Sequence, residues 1–154
     1  MKKLLSIISL SILSIIVYAQ SDNDYLELAR EVLSVEKKAV ITEVMELTDA
    51  ESQPFWDLYN EYQGKLYTVH NKRIALIKDF ADSYETLNDE KADEIWTNYI
   101  KYQQELLKLK NSYYKKFKKI LPAGKAAMFF QAENKIETLI NAQLAIEIPF
   151  IETK

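Results

Sequence analysis

Seven lysines and no carboxylate lie between Leu106 and Ala132, and Tyr113, Tyr114 and Phe117 fall among them. The lysines are Lys108, Lys110, Lys115, Lys116, Lys118, Lys119 and Lys125. Ammonium groups interleaved with aromatic rings can hold an acidic or unfolded chain, the charges steering it and the rings desolvating its apolar groups. An opposite zone precedes this one. From Ala39 to Gly64 there is no Lys or Arg, while Glu43, Glu46, Asp49, Glu51, Asp57 and Glu61 are present. A structural reading therefore stands beside the binding one: lysines near a helix C-terminus complement its dipole, and the two zones can pair within or between chains.

Catalytic and metal chemistry find little footing in the other residues. His70 is the single histidine and cysteine is absent, so imidazole or thiolate ligands cannot be gathered within one chain. No loop has the oxygen spacing that calcium requires. There is no glycine-rich phosphate loop, no nucleophile elbow and no Glu-x-x-His pair of the di-iron bundles. Carboxylate pairs such as Glu43 with Glu46 read as a solvated helix face, and His70 reads as a solvated or hydrogen-bonded side chain. No enzymatic activity, metal or cofactor is expected.

The first nineteen residues have the three parts of a secretory signal: Lys2 and Lys3, an apolar run from Leu4 to Val17, and Val17-Tyr18-Ala19 before Gln20. Cleavage after Ala19 is expected, since small side chains sit where the peptidase must fit. The apolar run is short for a stable membrane span, so no stable insertion is expected once the signal is gone. Loss of its two lysines leaves 18 Lys and Arg against 23 Asp and Glu, moving the formal charge from -3 to -5. An exported chain with this acidic balance is a poor candidate for binding nucleic acid. Without cysteine, no disulfide holds the fold.

Residues 20–154 are expected to form a single helical domain. Two glycines and three prolines are far too few for a fold of strands and tight turns. A first helix is expected from a cap at Asp24 to about Leu47, with Leu26, Ala29, Leu33, Val40 and Val44 facing inward. Thr48-Asp49-Ala50-Glu51 is a capping box opening a second helix. From there Phe55, Tyr59, Tyr62, Leu66, Val69, Arg73, Leu76 and Phe80 recur at steps of four and three, a seam that only Arg73 interrupts. After a break at Ser83 to Leu87 and a cap at Asn88, Ile95, Tyr99, Tyr102, Leu106, Leu109 and Tyr113 repeat the pattern. These two long helices should form an antiparallel hairpin about 50 Å long. A fourth helix starts around Pro122 and stops at Pro149. So thin a hairpin has little interior for ten Tyr, six Phe and two Trp, which places most rings in helix seams or a dimer interface. The fold expected is all-α, elongated and dimeric.

With Leu47-Thr48-Asp49-Ala50-Glu51 opening the second helix and Leu121-Pro122-Ala123-Gly124-Lys125 opening the last, the chain resembles the Spy/CpxP family of periplasmic stress proteins. Their hallmark is a Leu-Thr-x-x-Gln motif occurring twice. Here Glu51 replaces the first glutamine, Pro122 the second threonine and Lys125 the second glutamine, which marks a divergent branch. The resemblance implies a periplasmic homodimer of helical hairpins that holds unfolded clients without ATP. It also implies two alternatives: dedicated regulatory binding to one envelope sensor protein, and metal sensing, which a lone His70 disfavours. On this reading the candidate client-binding residues are Lys108, Lys110, Tyr113, Tyr114, Lys115, Lys116, Phe117, Lys118 and Lys119. Leu47, Thr48, Glu51, Leu121, Pro122 and Lys125 form the family motif in a structural role.

Overall fold

The computed structural model describes residues 22–152; the signal expected at 1–19 lies outside the described residues. Among the described residues there are four α-helices: α1 (Asp22–Met45), α2 (Asp49–Ser83), α3 (Asp89–Phe117) and α4 (Ala123–Glu147). A single 3-10 turn, Tyr84–Thr86, joins α2 to α3, and no strand occurs among the described residues. Among those residues no helix is long and apolar enough to cross a membrane.

Local chemistry accounts for most of the boundaries. At the head of α2 the Glu51 carboxylate accepts from the Thr48 amide and hydroxyl, both at 3.0 Å. Both halves of the expected capping box are present, the Thr48 side chain facing the Glu51 amide while Glu51 reaches back to the Thr48 amide. Asn88 caps α3 as expected, its side chain accepting from the Lys91 amide at 2.9 Å. Pro122, whose ring supplies no amide to satisfy, is the N-cap residue of α4. Two boundaries of α1 differ from expectation. Asp24 lies inside the helix, which is already formed at Asp22, and the helix stops at Met45 because Glu46 turns left-handed, with φ 40.

The two long helices pack as an antiparallel hairpin. Contacts between them run in opposite chain directions: Tyr113 meets Glu61, Tyr102 meets His70, and Lys91 meets Asp79. The expected seam is the buried one. Phe55, Tyr59, Tyr62, Leu66, Val69 and Phe80 of α2 face Ile95, Tyr102, Leu106, Tyr113 and Phe117 of α3 in the interior. The hairpin does not stand alone, because α1 packs along α4 and α4 along α3. Ile41 and Met45 from α1 and Ala126, Phe129 and Ile136 from α4 close the same core.

Aromatic rings concentrate where the end of α3 meets the starts of α2 and α4. Phe117 and Phe129 have ring centroids 4.6 Å apart, and Phe55 lies 5.5 and 5.4 Å from them. All three are fully buried, each contributing about 1.5–3 kcal/mol of transfer free energy. A smaller core of Phe80, Leu87 and Ile95 seals the opposite end, where Ile148 packs against it.

Candidate functional site

The lysine-rich stretch straddles the end of α3, and helical geometry deals its residues to different faces. Tyr113 is 3% exposed and Phe117 is fully buried. Their rings belong to the core and are not available to a partner, a correction to the binding face read from the sequence. The cause is the seam itself, whose steps of four and three carry Tyr113 and Phe117 inward with Leu106.

Three of the lysines serve the fold. Lys116 lies 2.7 Å from Glu61, and the Tyr113 hydroxyl donates to the same carboxylate oxygen at 2.7 Å. Lys116 and Tyr113 together hold the Glu61 carboxyl below the usual range. Lys110 reaches Glu137 and Asn134 on α4. Lys125 reaches Glu51 at 2.5 Å and the Glu46 carbonyl at 3.2 Å. The acidic and basic zones therefore meet inside one molecule, as the structural reading required.

Lys108, Lys115 and Lys119 form no ion pair or side-chain hydrogen bond among the described residues. All three are exposed, Lys108 and Lys115 on α3 and Lys119 in the turn that follows it. Lys118 lies over the Tyr114 ring, 5.0 Å from its centroid. Tyr114 in turn borders an open, mostly apolar groove on α4 lined by Ala127, Phe130, Asn134 and Thr138. What remains of the candidate face is thus an outward lysine row, with Tyr114 and Lys118 at the edge of this groove.

The motif residues gather at the same end. Leu121 is buried and Leu47 packs against the core, while Thr48 and Glu51 cap α2 and Pro122 precedes α4. Glu51 is joined to Lys125, and the Lys125 ammonium, followed by the Thr48 amide, draws its carboxyl down to about 2.

A polar seam inside the bundle escaped the sequence reading. Glu133 of α4 is 4% exposed and lies 2.7 Å from Lys37 of α1. Gln63 of α2 bridges the pair, accepting from Lys37 at 3.1 Å and donating to Glu133 at 3.3 Å. Burial pushes the Glu133 carboxyl up, with Lys37 opposing. The Tyr62 hydroxyl nearby is buried without a hydrogen-bond partner among the described residues. Farther along, the His70 Nδ1 lies 3.1 Å from the Tyr102 hydroxyl, and Arg73 donates to Asn141 at 2.5 Å. Arg73, the one break in the α2 seam, was the sequence signal for this network.

Burial lowers His70 to about 4, so near neutral pH it is an uncharged, hydrogen-bonded side chain. Among the described residues no group of three or more His, Cys, Asp or Glu could hold a metal ion. No family model, curated protein or solved structure matches the chain.

Proposed function

We propose that the chain is an exported, ATP-independent chaperone or envelope-stress adaptor that holds unfolded or partner proteins on the outer face of α3. The observation that carries this reading is the row of Lys108, Lys115 and Lys119, without an ion pair among the described residues, whereas Lys110, Lys116 and Lys125 of the same zone are paired within the chain. Unpaired cations on a helix and in the turn that follows it steer acidic segments at long range. The open groove beside Tyr114 and Phe130 offers apolar contact at short range. Weak, exchangeable contacts of this kind suit a binder of many sequences better than one of a single ligand. The resemblance of the two motif segments to the Spy/CpxP family supports the same role and a periplasmic location. No catalytic step is part of it.

The test is light scattering by two chemically unrelated unfolding proteins, with and without the chain and without ATP. Suppression of both is expected, and the triple variant K108E/K115E/K119E should lose it while keeping its helical circular dichroism. Unchanged suppression by the variant would remove the proposed face. No suppression of either protein by the wild type, with one tight complex recovered from envelope extract, would establish the dedicated regulatory role instead.

A further inference from the structure

Nine large apolar side chains are exposed among the described residues, and five of them gather toward one end of the bundle. Trp96, Ile100 and Ile146 are 58%, 38% and 78% exposed, and Phe150 and Ile151 are 89% and 44%. The packing beneath makes them neighbours. Ile148 and Ala92 both rest on the small core of Phe80, Leu87 and Ile95. Trp96 follows Ile95 in the chain and stands one turn beyond Ala92, with Ile100 a further turn along α3. Ile146 and Phe150 flank Ile148 two residues away on either side, so the end of α4 and the segment after it reach the start of α3. The other four, Val35, Tyr67, Leu107 and Leu139, lie one to a helix. Single exposed apolar residues need no explanation, whereas a gathered group marks an interaction site.

The rim of this patch is acidic. From Asp79 to Glu94 the chain has seven carboxylates and one cation, Lys91, and Lys91 is already shared between Asp79 at 2.9 Å and Glu94 at 3.1 Å. Asp89, Glu90 and Asp93 in the first turns of α3 are exposed and take part in no ion pair among the described residues, and neither does Glu152 beside Ile151. Lys101, the next cation along α3, is turned to Asn98 at 3.2 Å. The polarity is thus the reverse of that at the lysine row, which begins twelve residues, about 18 Å, beyond Trp96.

We propose that this end is a second binding site, for cationic amphipathic peptides: short helices with Leu, Ile or Phe on one face and Lys or Arg on the other. Trp96 and Phe150 are its anchors, since aromatic side chains carry most of the energy of such contacts. The carboxylates of the rim meet the cations of the peptide and hasten its arrival. Charge decides among the possible occupants. A second copy of the chain would set its own carboxylates against these, an anionic lipid surface would be repelled, and so would the acidic segments that suit the lysine row. Peptides of the proposed composition are those that settle on anionic membranes. A chain that holds them lowers the amount reaching the lipid, a sequestering function separate from client binding on the lysine row.

The experiment is fluorescence anisotropy of a labelled peptide of Leu and Lys at helical spacing, about 18 residues or five turns long, titrated with the exported chain. The same peptide with Glu in place of every Lys is the control. Binding of the Lys peptide with a Kd of about 10 μM is expected, and binding of the Glu peptide about tenfold weaker or less. The variants W96S/F150S and D89K/D93K should each weaken the Lys peptide about tenfold, with unchanged helical circular dichroism. K108E/K115E/K119E should not weaken it, which separates this site from the client face. Wild type should also reduce the release of dye by the Lys peptide from phosphatidylglycerol vesicles, and W96S/F150S should not. No binding by about 100 μM, equal affinity for the Glu peptide, or binding indifferent to W96S/F150S overturns the proposal. So does self-association of the chain that W96S/F150S abolishes, because a second copy would then cover the patch.

Discussion

The Nζ of Lys125 lies 2.5 Å from Oε2 of Glu51, joining the first turn of α4 to the first turn of α2. Both residues hold the fifth place of their motif, and α2 and α4 run parallel, so two positive helix ends stand side by side. A lysine there is opposed by its own helix dipole, and the Glu51 carboxylate offsets both. With its carboxyl at about 2 in the folded chain against an ordinary 4.5, Glu51 contributes stability that is complete above the ordinary value. That stability is lost as pH falls toward 2. Thermal melts should therefore show a steeper fall in Tm for wild type than for Glu51→Gln over this interval. Parallel curves would show that the pair carries no folding free energy.

The buried Lys37 and Glu133 pair should be far more sensitive to removal of one partner than of both. Lys37→Met strips the counter-charge from a carboxylate that burial already disfavours, at an expected cost of about 3–5 kcal/mol. The double variant K37M/E133L replaces both charges with apolar volume and should recover most of that loss. Urea denaturation at neutral pH measures each. At acid pH the Lys37→Met penalty should shrink as Glu133 takes up a proton; a penalty independent of pH would locate the damage in packing instead.

The helices and the inward faces of α2 and α3 were legible because they rest on local rules. On α1 the fully buried residues are Ile41 and Met45, beside the expected and only half-buried Leu33, Val40 and Val44, while the side chains of Leu26 and Ala29 lie outside those described. Phe55, Tyr59, Tyr62, Leu66 and Val69 repeat at helical spacing, and Thr48 with Glu51 and Asn88 are caps within their own first turns. Contacts between distant segments were not legible in the same way. Nothing local to Lys37 or Glu133 marks them as partners, since their meeting depends on how α1 lies along α4. The candidate face was half readable: Lys108, Lys115 and Lys119 are exposed, but a run of adjacent residues was read as one surface although a helix sends neighbours to different sides. The complementary Glu51 and Lys125, standing at matching motif positions, were a readable signal for the contact between α2 and α4.

Tyr62→Phe should stabilise the protein. The hydroxyl is buried without a partner among the described residues, and leaving such a group unpaired costs about 1–3 kcal/mol. Its ring, packed against Tyr113 and Phe130, is retained in the variant. A gain of about 1 kcal/mol in chemical denaturation is expected. A loss would mean that the hydroxyl finds a partner in solution.

His70 should make the fold acid-sensitive above the range in which Glu51 acts. Burial lowers its folded value to about 4 against an ordinary 6.5. Between these values the unfolded chain takes up a proton that the folded chain refuses, so stability falls as pH falls. The full interval corresponds to on the order of 3 kcal/mol. Glu137 opposes the shift, while Lys37, Arg73 and Lys110 reinforce it, and Tyr102 supplies the hydrogen bond. Glu133, whose carboxyl is raised, contributes with the opposite sign, so the comparison must be with His70→Gln under the same conditions. That variant should flatten the decline between pH 6.5 and 4; an unaltered slope would assign it to other groups.

Glu46 ends α1 in a conformation that suits glycine. Its φ of 40 brings Cβ toward the following carbonyl, at a cost of about 1 kcal/mol for an ordinary L-residue. What the turn uses from Glu46 is its carbonyl, which accepts from Lys125 at 3.2 Å and is unchanged by side-chain substitution. Glu46→Gly relieves the crowding but adds freedom to the unfolded chain, leaving a net gain of about 0.5 kcal/mol. Glu46→Val brings a branched Cβ into the same space and should destabilise by more than glycine stabilises. The two variants separate backbone strain from charge, because both remove the carboxylate and only one can relax the turn. Equal shifts in their denaturation midpoints would mean that the acidic side chain, and not the left-handed backbone, is what matters at this position.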